Sequence, residues 1–137
     1  MGRRVFFTKA EVSCLRCHKV HGIGGEVGPD LTGIGAKQKR DYLLESIVDP
    51  NKDIAKGFES IVLELLDGQT RTGILKSEDA KEVRLMTAEG QLIAVPKNQI
   101  EERRRGPSAM PADLADKMSR AELRDLVEFL ASLKEAP

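Results

Sequence analysis

Tryptophan is absent from this chain of 137 residues, and aromatic side chains are few, with four Phe and one Tyr. A core so poor in large flat groups has room for a bound aromatic body to complete it. Net charge is missing as well, because 22 Lys and Arg face 22 Asp and Glu. No global field favours a nucleic-acid partner, and 32% charged residues describe a well-solvated surface. No stretch approaches the roughly 20 apolar residues that a membrane span requires. The beginning, Met-Gly-Arg-Arg-Val-Phe-Phe, has neither a long apolar region nor a small-residue cleavage site. What remains, 40% hydrophobic content, is enough for one compact domain or a small domain carrying an insertion.

Cysteine is limited to two positions, and both fall within one pentapeptide. Cys14, Cys17 and His18 spell C-x-x-C-H, which presents two thiols and an imidazole on one tight turn. The thiols stand far enough apart to add across the two vinyl groups of one porphyrin, while the next residue swings its ring beneath the metal. Covalently attached haem is the favoured reading, and a porphyrin is the flat apolar body that the composition lacks. Three others compete with it. A redox dithiol is expected near a strand-helix-strand pattern, yet only the glycine-rich stretch from Gly22 to Gly28 follows. A zinc site would recruit His21, but Cys14, Cys17, His18 and His21 crowd into eight residues without a spacer. A chance match around a structural thiol pair is the third. Haem attachment to such a motif generally takes place outside the bacterial cytoplasm. A periplasmic or otherwise extracytoplasmic location is therefore expected, with export information elsewhere in a longer parent chain.

Periodicity divides the rest. Residues 3–12, with Val5, Phe6 and Val12, predict a short helix leading into the motif. From Lys19 to Lys37 six glycines and a proline predict a long irregular loop able to wrap a ligand. Tyr42, Leu43, Leu44, Ile47 and Val48 restore helical spacing until Pro50 stops it. Ser119 and Glu122 form an S-x-x-E box ahead of Leu123, Leu126, Val127, Leu130 and Leu133, which predicts a terminal amphipathic helix. Between these helices the pattern alternates instead: Ile61, Leu63 and Leu65, then Ile74, then Val83 and Leu85, then Ile93 and Val95. Asp67-Gly68 and Glu89-Gly90 mark turns. Four or five short antiparallel strands of this size close into a small Sm-like or SH3-like barrel or form a twisted open sheet.

The order of helix, C-x-x-C-H, glycine-rich loop with Gly28-Pro29-Asp30-Leu31, helix, Met-Pro and terminal helix resembles a class I cytochrome c. The segments CLRCHKVHGIGGEVGPDLTGIGAK, YLLESIVDPNKDIAKGFES and PSAMPADLADKMSRAELRDLVEFLASLK are similar to the haem-binding domain of planctomycete and verrucomicrobial proteins. There it commonly ends larger chains with dehydrogenase-like propeller or helical-repeat regions. The resemblance implies a mainly α cytochrome c-like fold with an inserted small antiparallel β-sheet or barrel. Its haem domain would occupy residues 1–56 and 106–137, with the β-rich insert at 57–105.

Carried onto this sequence, the resemblance makes Cys14 and Cys17 the thioether attachments and His18 the proximal iron ligand. Pro29, in the G-P-x-L stretch, would accept a hydrogen bond from the His18 ring through its carbonyl. Met110, held between Pro107 and Pro111, would be the distal ligand, ahead of Met86, Met118 and His21. Arg103, Arg104 and Arg105 read first as a solvated charge run. One of them, or Arg40 or Tyr42, is the candidate partner of a haem propionate. The function so implied is electron transfer by haem c rather than catalysis. The donor would be a redox partner protein or an associated dehydrogenase domain of the parent chain. The alternatives are a haem enzyme or gas sensor with an open distal site, and an interaction module built on the β insert, which could also make a homodimer.

Overall fold

The computed structural model describes residues 2–135 and divides the chain into two compact units. The first comprises residues 1–53 and 110–137, the second residues 54–109.

The first unit is helical. α1, Gly2–Thr8, is followed by the single turn α2, Cys14–Cys17. The helix predicted over 3–12 thus stops early, and Ser13 adopts a left-handed φ of 50° just before α2 begins. The stretch expected to be an irregular loop is more ordered than its glycine content implies. It contains an antiparallel pair, β1 (Lys19–Val20) and β2 (Ile23–Gly24), then the one-turn helix α3 (Ile34–Lys37). His21 and Gly22 make the connecting turn, with φ of 50° and +80°, so here glycine helps to build a tight hairpin rather than disorder. α4 covers Arg40–Val48, and α5 covers Arg120–Ala131. α5 starts as its sequence predicts. Ser119 Oγ accepts from Glu122 N–H at 3.0 Å, and Glu122 Oε1 accepts from Ser119 N–H at 2.9 Å.

The apolar faces of α1, α4 and α5 meet in one cluster that includes Val5, Phe6, Leu43, Ile47, Leu126 and Leu130, all buried. Three of the few aromatics concentrate here: Phe6 lies 5.1 Å from Phe7 and 5.7 Å from Phe129, centroid to centroid. α1 comes so close to α5 that a Cβ at Gly2 would stand 1.7 Å from Asp125 O.

The second unit is a five-stranded antiparallel sheet: β3 (Ser60–Leu65), β4 (Thr70–Glu78), β5 (Glu82–Met86), β6 (Leu92–Pro96) and β7 (Ile100–Arg105). The spatial order is β6-β5-β4-β3-β7, so the ladder stays open between β6 and β7. Both marked turns form, with Gly68 at φ +86° and Gly90 at φ +84°. Leu63 of β3 joins Val83 and Leu85 of β5 and Val95 of β6 in a second buried cluster. With β4 lying between β3 and β5, such contact requires a sheet curled over its own apolar face, and irregularities at Glu64/Leu65 and Leu75/Ser77 assist the bend.

The fold is accordingly mixed rather than mainly α, with 32% helix and 26% strand. Five strands form in the insert, within the four or five expected; the helical share falls short because α2 and α3 are single turns, and the loop adds the unexpected β1–β2 pair. Among the described residues, no helix is long and apolar enough to cross a membrane.

Candidate functional site

α2 places the three motif residues on one turn, closed by His18 N–H donating to Cys14 O at 2.9 Å. Cys14 and Cys17 are both free thiols and half-buried. Burial pushes the Cys14 thiol up to about 11 and raises that of Cys17 as well. A redox dithiol depends on the opposite shift, toward thiolate, so the environment does not suit that chemistry.

His18 Nδ1 lies 2.9 Å from Pro29 O. A carbonyl only accepts, so Nδ1 carries the proton and Nε2 keeps its lone pair free for a metal. Burial lowers the His18 pKa, with the Pro29 carbonyl pulling weakly the other way. The ring is therefore a neutral imidazole at neutral pH. Gly28 stands directly against it: an added Cβ would meet His18 Cε1 at 2.5 Å and Nδ1 at 2.8 Å. The same loop is tied to the Cys14–His18 turn by Gly28 N–H to Cys17 O at 2.7 Å and Gly25 N–H to Leu15 O at 2.9 Å.

Behind Pro29 lies a polar clamp that sequence reasoning missed. Asp30 Oδ1 accepts from both the N–H and the hydroxyl of Thr32, at 2.9 and 2.6 Å. Thr32 Oγ1 in turn accepts from His21 N–H at 2.9 Å. Thr32 is only 4% exposed, so its hydroxyl is a buried group fully engaged between the loop and the β1–β2 turn. The Asp-x-Thr spacing in GPDLT was a legible sign of such a turn.

His21 serves through its backbone, while its ring lies 3.6 Å from Glu135. No group of three or more His, Cys, Asp or Glu among the described residues could hold a metal ion, which removes support from a zinc site.

Met110 is half-buried and packs against the first unit's core, as do Cys14, Leu31 and Ile34. Met118 packs there too, whereas Met86 lies on β5 of the second unit. Of the residues considered for a propionate, four are already engaged. Arg40 Nε donates to Glu128 at 2.5 Å, Tyr42 Oη to Asp53 at 2.8 Å, Arg103 Nη2 to Glu78 at 2.9 Å, and Arg104 to Glu64.

The donor set suits haem c: two free thiols three residues apart, a neutral imidazole oriented by a carbonyl, and a glycine where any side chain would strike the ring. A family model described as cytochrome c matches residues 1–83, a span that takes in Cys14, Cys17, His18 and Pro29 and stops short of Met110. No curated protein matches the chain. By the family match, with the attachment turn and its oriented histidine in place, the chain belongs to the cytochrome c family, which carries covalently bound haem c and typically transfers electrons rather than catalysing reactions.

Proposed function

We propose that this chain is the electron-transfer unit of a larger oxidoreductase, with haem c held by thioethers at Cys14 and Cys17 and iron ligated by His18 and Met110. The observation that carries the reading is the His18 Nδ1–Pro29 O contact at 2.9 Å, which fixes both the tautomer and the aim of the imidazole. Bound haem c supplies one-electron cycling of iron between ferrous and ferric. The chain's own residues do the rest. Pro29 raises the basicity of His18, and Gly28 leaves the ring room to lie against its loop. The apolar cluster around Phe6 and Leu126 keeps water from the neighbourhood of Cys14. Met110 enters on a segment stiffened by Pro107 and Pro111, and a soft thioether there favours the reduced metal.

The electron donor in this reading is a dehydrogenase domain of the parent chain or a separate redox protein, at an extracytoplasmic site such as the periplasm. Support comes from the resemblance of the quoted segments to the planctomycete and verrucomicrobial haem-binding domain. The test is a pyridine-haem spectrum on protein matured with export machinery, then the same protein as Met110→Ala. One haem per chain with a low-spin ferric spectrum and a weak far-red thioether band is expected, and the variant loses that band. An unchanged band in the variant would discard Met110, and apoprotein mass after periplasmic production would discard the haem.

A further inference from the structure

His18 caps α2 and immediately precedes β1, so its backbone runs straight into the β1–β2 hairpin. Its ring reaches elsewhere, to the carbonyl of Pro29 at 2.9 Å. That carbonyl shares one rigid peptide plane with the Asp30 nitrogen. The proline ring locks its own φ, so the plane can swing only through the Pro29 ψ and the Asp30 φ. Whatever holds Asp30 therefore aims the oxygen that accepts the His18 proton.

Asp30 is held through its side chain. Oδ1 accepts from the Thr32 N–H at 2.9 Å and from the Thr32 hydroxyl at 2.6 Å, closing a turn on Asp30 itself. The same hydroxyl oxygen accepts at 2.9 Å from His21 N–H, in the turn of the hairpin that begins beside His18. A closed circuit results: from the His18 ring to Pro29, through Asp30 to Thr32, across to His21, and back along β1 to His18. Thr32 is where the two arms meet, donating its proton to one and offering a lone pair to the other. It is buried, so little water reaches it to replace either partner. Leu31 N–H to Lys19 O at 2.8 Å and Gly28 N–H to Cys17 O at 2.7 Å also tie the loop, without using the hydroxyl.

We propose that Thr32 is a positioning residue for His18: through Asp30, its hydroxyl fixes the peptide plane that receives the Nδ1 proton, and so sets the basicity of the ring. This role rests on His18 being the iron ligand, as in the proposed function. A firm bond at Nδ1 makes Nε2 the better electron donor and favours ferric iron, so releasing the plane raises the midpoint potential.

The haem-loaded chain is compared with Thr32→Val, which keeps the shape and loses the hydroxyl, and with Thr32→Ser, which keeps the hydroxyl and loses a methyl group. Three quantities are read for each: stability in urea, midpoint potential, and NMR exchange of the His18 Nδ1 proton, referenced to the Leu126 peptide proton as a gauge of general opening. Both variants lose stability. Only Thr32→Val raises the potential and speeds Nδ1 exchange, about fivefold beyond any change at Leu126, the factor that one ordinary hydrogen bond is worth. Thr32→Ser leaves both at their wild-type values. The two ties that bypass the hydroxyl keep the loop and the haem in place in Thr32→Val. A potential or an Nδ1 exchange rate unmoved in Thr32→Val would overturn the proposal, as would equal shifts in the two variants or loss of haem from Thr32→Val. Failure of the ligation itself looks different: wild-type His18 ring protons without a hyperfine shift in the ferric protein would remove His18 from the iron, and the positioning role with it.

Discussion

Gly28 and His18 touch without a side chain between them: the glycine Cα carries only hydrogen where a Cβ would stand 2.5 Å from the imidazole Cε1. The next residue supplies the carbonyl that His18 donates to, so one dipeptide both admits and aims the ring. Gly28→Ala forces either the ring off Pro29 or the loop off Cys17. The variant should lose about 1–3 kcal/mol of stability by overpacking. With His18 as the iron ligand of the proposed function, the midpoint potential should also rise as the weakened Pro29 bond lowers the basicity of that ring. Denaturant titration and a redox titration of the same preparation measure the two effects separately.

Thr32→Val removes a buried hydroxyl while keeping its shape. His21 N–H then loses its acceptor and Asp30 loses one of two donors. A loss of about 1–3 kcal/mol is expected for the orphaned groups, read as a lower urea midpoint with an unchanged slope.

Glu78 joins three segments of the second unit, accepting from Arg103 at 2.9 Å and from Lys97 at 3.1 Å. The Arg103 hydrogen bond, then that of Lys97, holds its carboxyl at about 2, against an ordinary value of 4.5. A depressed folded value means that its stabilisation is complete above about 4.5 and is lost as pH falls toward about 2. Glu78→Gln should flatten the acid dependence of unfolding across that window and leave the dependence elsewhere unchanged. Urea melts at successive pH values test this.

Ser119→Ala breaks one half of the box that begins α5. The Glu122 N–H loses its hydroxyl partner while the N–H of residue 119 still donates to Glu122 Oε1, and a destabilisation of about 1 kcal/mol is expected. Ser119→Gly should lose less, because glycine leaves the end open to water. Thermal melts of the two variants side by side give the comparison.

How much of this could be read from the residues depended on whether short-range order carried the signal. α5 declared itself through S-x-x-E and a strong apolar stripe, and α4 through its spacing up to Pro50. β3, β5 and β6 showed their alternation, and the two turns between strands showed their glycines. β7 did not, because an edge strand needs no apolar face and its partner β3 lies some forty residues earlier in the chain. The glycine-rich loop misled in the other direction: glycines that read as irregularity turn out to permit close approaches and a hairpin. In the site, the single turn that carries Cys14, Cys17 and His18 was plain from five residues. The Asp30–Thr32–His21 clamp was not, since a bond from a side chain to a distant N–H leaves no periodic trace.

The first and last strands of the inserted sheet lie side by side, Val62 against Arg104 and Ser60 joined to Gly106. The detour therefore enters and leaves through one doorway whose width is set by a single antiparallel pair. Lengthening or shortening the hairpins at Gly68 or Gly90 alters what lies beyond the doorway, not the gap itself. Evolution or an engineer can thus rewrite those hairpin tips, or graft a reporter into them, while the β3–β7 pair still holds the two ends of the sheet together.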